Sequence, residues 1–142
     1  MGAYRYGELV EQQVSRRRPT TVVLADDDDR FRALVRSVLE DDGYDIVAEA
    51  DDAASVLSMA RQHRPDVVVL DLVMHGCDGL ATLQALLDDD PGQPVLVISS
   101  LFDPSVEQEV VRLGAWYLEK AEGLEALEHT IDDVVSVSLP RV

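Results

Sequence analysis

Hydrophobic positions along this chain follow two alternating rhythms. Short unbroken apolar runs, rich in β-branched residues, occur at Val22-Val23-Leu24-Ala25, Val67-Val68-Val69-Leu70 and Val95-Leu96-Val97-Ile98. Runs without alternation read as strands buried on both faces, the kind that parallel sheets contain. Thr20–Ala25, Tyr44–Ala50, 66–70 and 94–98 are therefore predicted strands, with a short fifth at Trp116-Tyr117-Leu118 ending near Lys120. Between them the spacing becomes helical. Phe31, Leu34, Val35, Val38 and Leu39 form one predicted face, closing at Asp42-Gly43. Ala53, Val56, Leu57 and Ala60 form another within 52–63, stopped before Pro65. Leu80, Leu83 and Leu87 follow, ended by Asp88-Asp89-Asp90-Pro91-Gly92. Val106, Val110 and Leu113 lie within 104–113, and Leu124, Leu127, Ile131, Val134 and Val135 within about 122–137.

Five strands alternating with five helices through short loops imply an α/β fold, a five-stranded parallel sheet with helices on both faces. The common flavodoxin-like solution for this size has strand order 2-1-3-4-5, which sets strands 1, 3 and 4 side by side. Their carboxyl ends are Asp26/Asp27, Asp71 and Ser99. Such rims are where open α/β sheets bind ligands. Asp71 closing a wholly apolar strand is thus the centre of a candidate site rather than an isolated polar end.

Composition narrows the classes. A length of 142 residues with 46% hydrophobic content fits one ordinary domain with its own core. No apolar run reaches the ~20 residues of a membrane span and MGAYRYGELV lacks a signal-peptide core, so a cytoplasmic protein is expected, without membrane contact. The net charge of −16 argues against direct nucleic-acid binding by this domain and suits a cation site or basic surfaces on protein partners. The single Cys77 excludes a disulfide framework and reads as small filler. Residues 1–19 stand apart, holding Arg5, Arg16, Arg17 and Arg18, four of the twelve basic residues, before Pro19. They read as a mobile extension, residues 20–138 as the domain, and 139–142 as a tail or the start of a linker.

Three carboxylates at one rim repel one another unless a cation lies between them. Mg²⁺ suits that role, being a hard ion that takes oxygen ligands and keeps waters. With a lysine and a hydroxyl at neighbouring loop ends, the set would stabilise a phosphoryl group being transferred to a carboxylate. Asp28 and Asp29 read as a solvated helix start, Asp88–Asp90 as a surface helix end, and Ser100 as structural. His63 and His129 have no partners at metal-ligand spacing.

The segments VVLADDDDRF, VVVLDLVMHGCDGL, VLVISS and GAWYLEK resemble, in order and spacing, the signature segments of response-regulator receiver domains of two-component signalling, over about residues 20–138. They are most similar to LuxR/NarL-type receivers that precede DNA-binding domains. The resemblance implies that Asp71 is the phosphoacceptor, taking a phosphoryl group from a sensor histidine kinase or phosphotransfer protein. It implies Mg²⁺ held by Asp26, Asp27, Asp71 and the backbone carbonyl of Val73. Ser99 and Lys120 would contact phosphoryl oxygens, and Ser99 with Tyr117 would form the switch. Output would be a shift in a protein-interaction surface, toward a downstream target or a fused output domain, with a homodimer as one possible form.

Three departures accompany the resemblance. His75 replaces the usual proline after Met74, Ala121 rather than proline follows Lys120, and Gly114–Tyr117 is one residue shorter than usual. Val73 and Leu101, two residues beyond Asp71 and Ser99, are apolar and cannot orient an attacking water, so a slowly decaying phosphorylated state is expected. Catalysis would then be limited to Mg-dependent self-phosphorylation from a phosphodonor and slow autodephosphorylation, not conventional enzyme turnover. The alternative is a phosphorylation-independent interaction module on the same fold. A phosphohydrolase with an Asp nucleophile fits less well, because Asp71-Leu72-Val73 offers no second acid two residues on.

Overall fold

A computed structural model describes residues 18–75 and 78–137. The remainder of the extension, Cys77 and the tail lie outside the described residues, and so do the readings made of them. The elements alternate as expected: β1 (Thr21–Ala25), α1 (Asp29–Asp41), β2 (Asp45–Ala50), α2 (Ala53–His63), β3 (Val67–Asp71), α3 (Gly79–Asp89), β4 (Val95–Ser99), α4 (Pro104–Arg112), β5 (Trp116–Glu119) and α5 (Leu124–Val137). A 3-10 turn over Lys120–Glu122, which no periodicity signals, delays the last helix by two residues. All strand pairs are parallel and the order is β2-β1-β3-β4-β5.

Strands β3 and β4 are buried at every position because both faces of the sheet are covered. Val22, Leu24, Val67, Val69, Leu96 and Ile98 point to the side of α1 and α5, where they meet Val35, Leu39, Leu127, Ile131 and Val134. Val23, Ala25, Val68, Leu70, Val95 and Val97 point the other way, onto Val56 of α2, Leu83 and Leu86 of α3, and Val110 of α4. Each buried Val, Leu and Ile side chain contributes roughly 1.5–3 kcal/mol of transfer free energy, so the continuous apolar runs are what hold the layers together.

Two predicted helix faces are rotated from their expected positions. Leu34 is 55% exposed, because the buried stripe of α1 runs through Val35 and Leu39, and Leu34 stands well around the helix from their mean direction. In α3 the buried positions are Gly79, Thr82, Leu83 and Leu86, while Leu80 and Leu87 only flank the core. Helix starts follow local chemistry: Asp28, Asp52, Asp78 and Asp103 each cap the helix that follows with a side-chain oxygen on its first free N–H groups.

The register positions the site. Ala25 pairs with Leu70, Asp71 with Ile98, and Ser99 with Glu119. Asp26 therefore emerges level with Asp71, Ser99 one step beyond, and Lys120 immediately after Glu119. Four chain segments deliver polar groups to one end of the sheet.

Candidate active site

Asp26 and Asp71 are carboxylates inside the protein, at 0% and 2% exposure, while Asp27 is partly exposed. The three offer oxygens that all lie within 4.8 Å of one another. Asp71 is held at both oxygens. Val73 N–H donates to Oδ1 at 3.0 Å, and Lys120 Nζ donates to Oδ2 at 3.1 Å. Lys120 also lies 2.8 Å from Asp26 Oδ2 as an ion pair, but that oxygen accepts no well-aligned hydrogen bond. Asp26 Oδ1 accepts from the Asp28 N–H at 2.8 Å. The ammonium rests 4.4 Å from the centroid of the Phe31 ring.

Burial pushes the Asp71 carboxyl up to about 6; the Asp26 charge adds to the rise, while the Val73 N–H and Lys120 oppose it. Burial alone would lower Lys120, but the close approach of Asp26 Oδ2 and the charges of Asp71 and Asp26 outweigh it and hold the ammonium above its usual value. Three carboxylates face one lysine, and one buried oxygen lacks a proper donor. That set of hard oxygens with surplus negative charge fits a divalent cation such as Mg²⁺.

Ser99 and Tyr117 lie beside this cluster. Ser99 is buried, and its hydroxyl donates to the Leu101 carbonyl at 2.9 Å while its oxygen accepts from the Leu101 N–H at 3.2 Å. The Tyr117 hydroxyl donates to the same carbonyl at 3.2 Å. Leu101 and Val73, 67% and 53% exposed, form an apolar flank.

Several positioning groups have no signal in the sequence. The His75 N–H donates to Asp27 Oδ2 at 2.8 Å, tying the loop after β3 to the loop after β1. A proline there would lack that donor. The His75 ring, 97% exposed and 3.6 Å from the same oxygen, adds little. Arg32 donates to the Asp26 carbonyl at 2.6 Å and pairs with Asp29 and Glu49, bracing the acidic loop against β2. Of these contacts only Asp29–Arg32 has a short helical spacing, and it was not predicted. Gly79 packs on the backbone following Asp71: a Cβ there would lie 2.2 Å from the Leu72 carbonyl oxygen.

Among known proteins, the model of the family described as "Response regulator receiver domain" matches residues 22–132. The probable transcriptional regulatory protein TcrX of Mycobacterium tuberculosis is 36% identical over 97 residues, 68% of this chain and 40% of TcrX. The probable transcriptional regulatory protein NarL of the same species is 32% identical over 126 residues, 83% of this chain and 58% of NarL. The chain thus spans 40% to 58% of the length of these relatives. The crystal structure of a LuxR-family two-component response regulator from Aurantimonas sp. superposes with a TM-score of 0.79 at 26% identity, covering 83% of this chain and 86% of that one. The receiver domain of NarL from M. tuberculosis gives 0.77 at 29% identity, covering 85% and 99%.

Proposed function

Because the chain belongs to the response regulator receiver domain family, we propose that it is a phosphoacceptor switch in which Asp71 takes a phosphoryl group from the phosphohistidine of a sensor kinase or phosphotransfer protein. The observation that carries this reading is the fixed, buried Asp71 carboxylate. It is gripped by Val73 N–H and Lys120 and lies within 4.8 Å of two further acids. One carboxylate oxygen of Asp71 would attack phosphorus while the donor's P–N bond breaks and its imidazole leaves. Lys120 then exchanges a carboxylate for a phosphoryl oxygen, and the Ser99 hydroxyl turns to another. Asp26, Asp27, Asp71 and the Val73 carbonyl would hold Mg²⁺, which supplies positive charge to the phosphoryl oxygens.

Output would follow from Ser99. Its one proton cannot serve both the Leu101 carbonyl and a phosphoryl oxygen, so phosphorylation would remove one of the two hydroxyl donors on that carbonyl. Tyr117 keeps the other, which ties the switch role of Ser99 and Tyr117 to one loop. The recipient would be a downstream protein, a fused output domain or a second copy of the chain, with residues 20–138 as the receiver. No helix among the described residues is long and apolar enough to cross a membrane, and we place the switch in the cytoplasm.

Incubation with Mg²⁺ and acetyl phosphate tests the reading. The intact protein should gain one phosphate by mass, and Asp71→Ala should gain none. No label under conditions where Mg²⁺ is shown to bind would sink it and favour an interaction module. Release of free phosphate over many turnovers would mark a hydrolase instead.

A further inference from the structure

Phe31, the third residue of α1, packs beside the core layer between the sheet and α1/α5, and its ring lies beneath the Lys120 ammonium. Among the described residues the ammonium therefore meets Asp26, Asp71 and this ring. The two carboxylates are unsteady partners, because a cation between them or a phosphoryl group on Asp71 redirects their charge. The ring has neither a charge to lose nor an atom that binds a metal. Its π face attracts a cation through its quadrupole, occupies none of the three N–H donors, and acts alike before and after the site is loaded. A leucine would exclude the same water without the attraction.

We propose that Phe31 is a positioning residue, its ring holding the Lys120 ammonium at the rim so that the N–H groups meet a phosphoryl group arriving at Asp71. The proposal deepens the receiver reading and rests on it. The shape of the ring can be kept while its quadrupole is weakened, by placing mono- to pentafluorophenylalanine at position 31 of the full chain. The phosphorylation rate with acetyl phosphate and Mg²⁺ should fall stepwise with fluorine number, by about threefold to tenfold at five fluorines. A merely structural ring would not produce that gradient, and a second measurement separates the two. Urea midpoints are compared for the same series with Lys120 and with Lys120→Met, so that changes in hydrophobicity common to both backgrounds cancel. The fluorination penalty should be larger when Lys120 is present. Equal penalties in both backgrounds overturn the contact, and unequal penalties with an unchanged rate overturn its role in phosphoryl transfer. A parent protein that takes no phosphate, while the penalties remain unequal, sinks the receiver reading and leaves the Phe31–Lys120 contact standing.

Discussion

Asp71→Asn should make the metal-free protein more stable, and only above a definable pH. The folded-state carboxyl ionises at about 6 against 3.8 for an ordinary aspartate, with burial as the main cause. A rise of about two pH units corresponds to roughly 3 kcal/mol, at ~1.4 kcal/mol per unit. The sign follows from a raised acid: below about pH 4 both states are protonated and the stability is complete. Between about pH 4 and 6 the unfolded chain ionises first, stability is lost, and above about 6 the loss is constant. Asparagine keeps the shape and has no proton to lose, so it escapes this loss. It also turns an amide donor toward Lys120 or Val73 N–H, which takes back about 1 kcal/mol. The net gain at neutral pH is about 2 kcal/mol, or about 1 M in urea midpoint for a slope near 2 kcal/mol per M. The assay is urea unfolding of both proteins in chelator from about pH 4 to 8, where carboxylates other than Asp71 contribute alike. Midpoints that run parallel over that range would refute the argument that Asp71 is buried against its charge. Saturating Mg²⁺ should raise the parent, by roughly 2.7 kcal/mol at a hundredfold excess over its dissociation constant, and close the gap.

Three further substitutions probe separate parts of the structure. Val73→Asn introduces a side chain able to orient water beside Asp71 and should shorten the phosphorylated lifetime several-fold, followed by loss of the mass-labelled species; an unchanged lifetime counts against the apolar flank as its cause. Asp66→Ala removes the acceptor of the Thr21 N–H at 2.8 Å and of two Arg18 bonds at 2.7 and 2.9 Å, and should cost about 1–2 kcal/mol at neutral pH in urea unfolding. Burial opposes ionisation of Asp66, but Arg18 and Thr21 outweigh it and hold its carboxyl below the usual value, so this difference should shrink as the pH falls below about 4. Gly79→Ala forces a Cβ to within 2.2 Å of the Leu72 carbonyl oxygen; it should cost about 1–3 kcal/mol and shift the backbone NMR signals of Asp71 and Val73.

How much of this was legible in the sequence depends on the range of the interaction. The strands announced themselves because a double-sided sheet needs unbroken apolar runs, and β3 at Val67–Asp71 is such a run. The meeting of Asp26, Asp71, Ser99 and Lys120 followed from strand order alone, since parallel strands in near-level register deliver their carboxyl ends to one rim. Helix faces were less legible. Leu34 fits a helical stripe as well as Val35 does, and only packing against the sheet decides which is covered. Least legible were contacts between segments far apart in the chain or made to main-chain groups: the His75 N–H on Asp27, Arg32 of α1 on the Asp26 carbonyl, and Phe31 of α1 under Lys120. A backbone donor is the same for every residue but proline, so its partner has no compositional trace.

His75 shows why this matters for the site. As a side chain it is almost wholly exposed and stands 3.6 Å from Asp27, so the ring contributes little. Its consequence lies in the backbone, where it supplies a donor 2.8 Å from the one acid of the three that is open to solvent. Each of the three carboxylates is thereby restrained by a backbone N–H from a loop: Asp26 by Asp28, Asp71 by Val73, Asp27 by His75. Restraint by neutral donors lowers the cost of crowding acids together without neutralising them, which leaves their charge for a cation and their geometry already set. The acidic rim is therefore held together before any ligand arrives, chiefly by main-chain groups, with Lys120 as the one positive side chain among the described residues that bridges Asp26 and Asp71.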